Sequence, residues 1–505
     1  MRKDGLRVGL VGLGMVTMFL IFQNLQVVAI AGDVPDNLAL HGTASVLSVH
    51  EGAPAKDAGK LNDGLYGAAN SWLGGLSDYT DPAINKHYPH VDSWWTQIDL
   101  GKVEEISAVA FGGESNGGAG FIIAAAGSLS QDKARADYVC DGIDDDVEIQ
   151  AAINALPDTE PKNHEGTGGG RVLLSAGTFN IGATIKFHDK TVHLTGSGKD
   201  STILNLQKGV NDDMLLVGTG QYQAIPPGSI AHMNLNGNSR FQSKGSGIRV
   251  KSGDMMAIES VGIYDFKENG IFLEGASPNV RPCLGRIENS RIGGNKKDGI
   301  YAGPGQEGWI IRGNWINDNG TIGERFHGIH LRAIHGKVEG PAGGTGSHII
   351  SNNVLWQNKW NQIYVDGGGH GGADIIISNN VILSSPYENI KISNGSHLIL
   401  ITGNTLHSAS EAGIGKAPHI TIEDSSFCVI SNNAISSPSS GVLSQAVETE
   451  KRGEVEPMSV SGILVEKGGS DYNKFIGNVI HGDVTKVILV GAHSYTDSRE
   501  EQDKK

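Results

Sequence analysis

Two short stretches of this chain bring together groups that can move protons. In "KKDGIY" Asp298 stands two residues before Ile300. In "FHGIHLR" His327 takes the same place before Ile329, and His330 and Arg332 follow. A β-elimination or epimerisation at a uronate starts with loss of a ring proton. It needs a base, which His, Tyr, Lys or Arg can supply, and positive charge beside the sugar carboxylate to stabilise the enolate. His330 with Tyr301, Tyr364, Arg332 and Lys391 suits that demand. Hydrolysis of a glycosidic bond instead needs two carboxylates, about 5 Å or about 6.5–9.5 Å apart. Asp298 offers one, and Asp366 is the nearest partner in the pattern described below.

A second acidic run, "DYVCDGIDDDVEIQAAINALP" (137–157), holds Asp141, Asp144, Asp145, Asp146 and Glu148. Its spacing does not fit the calcium loop D-x-[DN]-x-[DN]-G-x5-E. With Asp145 as N-cap, Glu148 falls at N3 as in a capping box. Ile149, Ala152, Ile153 and Leu156 then make one apolar stripe. Residues 144–156 are therefore expected to be an amphipathic helix covering the open end of the next domain.

Internal repeats decide what that domain is. A hexamer, apolar-x-[NG]-N-x-apolar, recurs as "IRGNWI" (311–316), "ISNNVL" (350–355), "ISNNVI" (377–382), "ITGNTL" (401–406), "ISNNAI" (430–435) and "FIGNVI" (475–480). Between the copies stand "GIRV" (247), "GIFL" (270), "GIYA" (299), "GIHL" (328), "QIYV" (362), "NIKI" (389), "GILV" (462) and "VILV" (487). The first four of these are spaced by 23, 29 and 29 residues. One coil of a parallel β-solenoid, its coils about 4.8 Å apart, accounts for that period. Asn314, Asn353, Asn380, Asn404, Asn433 and Asn478 then stack as a structural ladder at a left-handed turn. These coils resemble the right-handed parallel β-helix of the pectate lyase superfamily, over residues 121–493. The resemblance implies the fold and leaves open lyase, hydrolase, epimerase or binding protein.

In "G-I-x-[VL]" the x residue points outward. The outward column is Arg249, Phe272, Tyr301, His330, Tyr364 and Lys391, spanning about 24 Å, enough for several sugars. The next column holds Lys251, Glu274, Gly303, Arg332, Asp366 and Ser393. The catalytic candidates are thus His330, His327, Asp298 and Arg332. The substrate-binding candidates are Arg249, Phe272, Tyr301, Tyr364, Lys391 and Asp366. The bland alternative for the aromatic column is a stack that only stabilises the coils. The pattern "DG" (298–299), "GHG" (369–371) and "IK" (390–391) is similar to polygalacturonases, but their paired Asp is missing where "HGIH" stands. The loop "AIHGKVEGPAGGTGSH" (333–348) is placed to wall a groove.

Residues 1–31 read as a signal peptide: Arg2, Lys3 and Arg7, an apolar core from Val8 to Phe22, and Ala29-Ile30-Ala31 before the expected cleavage. The rival is an uncleaved anchor. Residues 38–115 have alternating strand patterns. The pieces "KLNDGLYGAANSW" (60–72) and "WWTQIDLGKVEEISAVAF" (94–111) resemble the first half of a discoidin-like (galactose-binding-like) jelly roll. The resemblance implies glycan or cell-surface binding, often with structural calcium. Trp72, Trp94 and Trp95 could stack on sugars or fill a core. Residues 436–458 read as an inserted polar loop, and 494–505 as a solvated tail.

Gly numbers 72 of 505 residues and the net charge is −15. The glycines imply many turns. The charge, with no Lys/Arg-rich block, argues against a nucleic-acid partner. Cys140, Cys283 and Cys428 show no metal spacing and read as small buried apolar groups, with one bridge left open. The expectation is an all-β chain: a partial β-sandwich, an N-terminal capping helix and a right-handed parallel β-helix. It would be secreted or on the cell surface, without a membrane span once mature, and act on an acidic polysaccharide. A hydrolase and a non-catalytic glycan-binding adhesion protein are the alternatives. No metal centre is expected, though calcium is possible through Asp298, Glu274 or Asp366.

Overall fold

A computed structural model describes residues 43–46, 96–99, 119–157, 168–187, 190–218, 228–252, 255–275, 284–333, 345–368, 372–409, 417–436, 464–481 and 487–497. The chain divides into two units, Met1–Gly117 and Gly118–Lys505. In the first, Thr43–Val46 pairs antiparallel with Thr96–Asp99. The signal peptide and the rest of the jelly-roll segment, including Trp72, Trp94 and Trp95, lie outside the described residues.

The second unit is a right-handed parallel β-helix made of three long parallel sheets with 14, 11 and 11 strands. Each coil visits the sheets in turn, as in Gly285–Glu288, Arg291–Gly293 and Ile300–Ala302. Alternation turns one set of side chains inward, so equivalent residues stack along the axis. The column Ile258, Ile287, Ile311, Ile350, Ile377, Ile401 and Ile430 is fully buried and in register.

The Asn ladder forms as the hexamers require. Asn314 Nδ2 donates to Asn353 Oδ1 at 3.0 Å, and the chain of bonds runs on through Asn380, Asn404 and Asn433 to Asn478. Each of these Asn but the last also donates its backbone N–H to the next Oδ1. The left-handed turn sits one residue earlier than expected, at Gly313, Asn352, Asn379, Gly403, Asn432 and Gly477. So the third hexamer position bends the chain and the fourth satisfies the buried polar groups of that bend. A second ladder, Asn295 to Asn319 to Asn358, turns the following corner.

Two short helices precede the coils, α1 (Ser130–Arg135) and α2 (Asp146–Ala155). Ile149, Ala152, Ile153 and Leu156 are buried in the same core as the first coils, as the stripe predicts. The capping box does not form. Asp145 makes no side-chain cap bond. Its carboxylate instead accepts N–H bonds from Gly142 at 2.8 Å and Asn180 at 2.6 Å. Asp146 likewise accepts from Gly182 at 2.6 Å. Fixing α2 to the first coil satisfies the amides of Asn180 and Gly182, which a cap within the helix would leave open.

The "tail" is partly strand. Tyr495–Thr496 pairs with Lys474–Phe475, and Asp497 accepts from Gly477 N at 2.9 Å. Pairing there covers the last coil edge, where Phe475 is buried. Of the cysteines, Cys140 and Cys428 are free and buried. Burial first, then Asp145, pushes the Cys140 thiol up, and burial raises Cys428 to about 12. Neither thiol is expected to react with a disulfide reagent in a folded Cys283→Ser chain, and both should react after denaturation. Fast native labelling would contradict this burial.

Candidate functional site

The third sheet carries the outward column in the expected register. Arg249 pairs with Phe272, Phe272 with Tyr301, Tyr301 with His330, His330 with Tyr364, and Tyr364 with Lys391. Arg332 aligns with Asp366, and Asp366 with Ser393. At the turn into this sheet the coils come very close. A Cβ on Gly299 would lie 2.6 Å from Gly328 O, and one on Gly328 would lie 2.6 Å from Gln362 O. Glycine there lets Asp298 and His327 sit directly above one another.

A hydrogen-bond ladder leads into that point. Asp213 Oδ1 accepts from Ser246 N at 2.7 Å, Ser246 Oγ from Asn269 N at 3.3 Å, and Asn269 Oδ1 from Asp298 N at 3.0 Å. Asp298 Oδ1 accepts from His327 N at 2.5 Å. The pattern stops at His327. Its Nδ1 is buried with no hydrogen-bond partner, and so are Nδ2 and Oδ1 of Asn361 on the next rung. His330 Nε2 is in the same condition. Buried polar atoms are rarely left unmade, because each costs roughly 1–3 kcal/mol. Four of them fall where the ladder ends.

Asp298, His327 and His330 are 3%, 3% and 9% exposed. Asp298 Oδ2 lies 3.4 Å from His330 Nδ1. The His330 ring stacks on Tyr364 with centroids 5.0 Å apart and meets Tyr301 edge-on at 5.1 Å. His327 packs against both His330 and Tyr364 at 4.8 Å. Burial first, and then His330, Lys391 and Arg325, hold the His327 pKa well below 6.5. Burial raises the Tyr301 and Tyr364 hydroxyl pKa values. Arg332 opposes the rise at Tyr301, and the Ser393 hydrogen bond opposes it at Tyr364. Arg332 is exposed beside this cluster.

The remaining candidates are held differently. Arg249 bonds Asp213 at 3.0 Å and Glu274 at 2.7 Å, and covers Phe272 at 4.5 Å. Phe272 packs edge-on to Tyr301 at 5.3 Å. This end of the column is tied into the fold. Lys391 bonds Glu423 at 2.7 Å. Burial opposes its charge, but the Glu423 bond, with Glu388 close by, keeps its pKa raised. Asp366 accepts from Asn394 Nδ2 at 2.7 Å. Among the described residues, neither Glu274 nor Asp366 joins a cluster with metal-ligand reach, whereas Asp298, His327 and His330 do. The "GHG" of 369–371 and loop residues 334–344 lie outside the described residues.

Sequence reasoning missed Asn269 and Asn361. Both stand two residues before the inward Ile of the third sheet, the position of Asp298 and His327. Extending the repeat by two residues would have shown the column. Glu423 follows from the same register, opposite Ser393.

Residues 216–339 match the family model of the right handed beta helix region. Among solved structures the chain is similar to the A-module of the Azotobacter vinelandii mannuronan C-5 epimerase AlgE4. Identity is 19% and the TM-score 0.47, over 70% of this chain and 96% of that one. It is also similar to the DFA-IIIase of Arthrobacter chlorophenolicus A6, at 13% identity and TM-score 0.43, over 68% and 92%. A third likeness is ORF18 of Geobacillus virus E2, at 13% identity and TM-score 0.40, over 71% and 60%. No curated protein matches the chain. Among the described residues no helix is long and apolar enough to cross a membrane.

Proposed function

We propose that the chain is a secreted β-helix enzyme that removes a ring proton from a uronate of an acidic polysaccharide, leading to β-elimination or epimerisation. The break in the polar ladder at His327, beside the Asp298–His330 pair, carries this reading. Asp298 orients the imidazole and stabilises its protonated form, and His330 accepts the proton through Nε2. The His330 ring packs against Tyr301 and Tyr364 and its Nε2 is buried, so a sugar ring must displace neighbouring groups to reach that atom. Arg332, exposed at the rim, neutralises the uronate carboxylate as negative charge develops. The hydrolase alternative lacks support at this centre: Asp298 is the carboxylate beside His330, and Asp366 is engaged with Asn394.

Incubation with a panel of uronate polymers, followed for unsaturated chain ends and for inverted residues, tests the proposal. Arg332→Ala should weaken kcat/KM by about 10²-fold or more, the scale of losing one preorganised charge donor. An unchanged Arg332→Ala enzyme would remove Arg332 from the account. Tight glycan binding without turnover would favour the adhesion reading.

A further inference from the structure

The three buried groups at the ladder break also have the composition of a metal centre. Asp298 holds one carboxylate oxygen on the His327 amide and turns the other to His330. One ligand atom from each of Asp298, His327 and His330 lies within 4.8 Å of the others. That separation comes from the rung spacing, since Asp298 belongs to one coil and both histidines to the next. Two imidazoles and one carboxylate are the donor set of open zinc sites and of related transition-metal sites. Calcium instead takes six or more oxygens, which these residues do not offer.

We infer that Asp298, His327 and His330 bind one divalent transition ion of the zinc class. Each histidine keeps a buried ring nitrogen without a hydrogen bond, His327 Nδ1 and His330 Nε2. An ion removes part of that cost by coordination. Around a tetrahedral ion with bonds of about 2.1 Å, ligand atoms stand about 3.4 Å apart. The widest pair must therefore close by no more than about 1.4 Å, and Asp298 Oδ2 already lies 3.4 Å from His330 Nδ1. Three protein ligands leave a fourth position for water or for a sugar oxygen. Binding of the ion does not depend on the proposed reaction. Only its consequence rests on that reading: the ion occupies His330 and should slow proton abstraction.

The test is titration of the metal-stripped full chain with Co²⁺, read by d–d absorption, and with Zn²⁺, read by calorimetry. One ion per chain is expected. His327→Ala and Asp298→Ala should each weaken binding by at least roughly tenfold, with circular dichroism showing that both variants fold. If one variant does not fold, His327→Gln serves in its place. Absence of one-to-one binding would overturn the assignment. So would binding that survives both variants and disappears in Cys140→Ser, since Cys140, Asp145 and Glu148 form the other cluster with ligand reach. A chain that binds the ion and turns over no glycan keeps the metal site and loses the proposed function.

Discussion

His330→Ala should reduce turnover of the uronate substrate by about 10²–10⁴-fold, the usual contribution of a positioned general base. The ring stands between Asp298, Tyr301, Tyr364 and His327, and each of these contacts fixes it in one orientation. Its loss removes the proton acceptor and leaves the Asp298 charge without its partner. The fold should survive, because the inward neighbours Ile329 and Leu331 keep their places in the core. Substrate affinity should change little, since Arg332 still meets the carboxylate. The kcat effect therefore separates this role from a structural one: a merely structural His330 would lower the melting temperature and spare kcat in the folded fraction.

Asn380→Ala, in the middle of the ladder, should strongly destabilise the solenoid, costing about 3–5 kcal/mol. Asn380 Oδ1 accepts both the backbone N–H and Nδ2 of Asn353, each at 3.0 Å. Its own Nδ2 donates to Ile350 O and Asn404 Oδ1, each at 3.0 Å. Alanine leaves the Asn353 N–H, one Asn353 Nδ2 hydrogen and Ile350 O without their partner, while Asn404 Oδ1 keeps the Asn380 backbone N–H, at roughly 1–3 kcal/mol for each orphaned group. Partial relaxation keeps the sum below simple addition. The urea midpoint should fall accordingly. A midpoint within experimental error of the parent would mean that the ladder decorates the corner and does not hold it.

The parts of this molecule that repeat were readable from sequence. The Ile and Val columns, the six ladder asparagines and the outward column Arg249 to Lys391 all follow from one periodicity, because every coil must bury the same face. What did not repeat was hidden. Asp145 resembles a helix cap by spacing, yet its partners, Gly142 and Asn180, include one 35 residues away. Arg249 and Lys391 read in the sequence as substrate-binding groups. Their carboxylates, Asp213 and Glu423, come from coils whose register becomes visible only once the turns are laid out. The second Asn ladder shows in the sequence only as Asn319 and Asn358, each five residues after a first-ladder Asn, a weaker signal than the hexamer. The candidate site is half legible. The types and spacing of Asp298, His327, His330 and Arg332 pointed to it, whereas the unpartnered nitrogens that distinguish it from a plain stack need three-dimensional packing to be seen.

The central claim, proton abstraction from a uronate ring, is tested most directly in deuterated water. Uronate polymers are incubated with the folded chain, and the ring position next to the carboxylate is followed by NMR. Elimination and epimerisation share this first step, so the account predicts loss of the ring-proton signal by deuterium entry or by formation of an unsaturated end. The change should be absent with His330→Ala. Retention of that proton across the panel, by a chain shown to be folded and to bind the polymers, would contradict it.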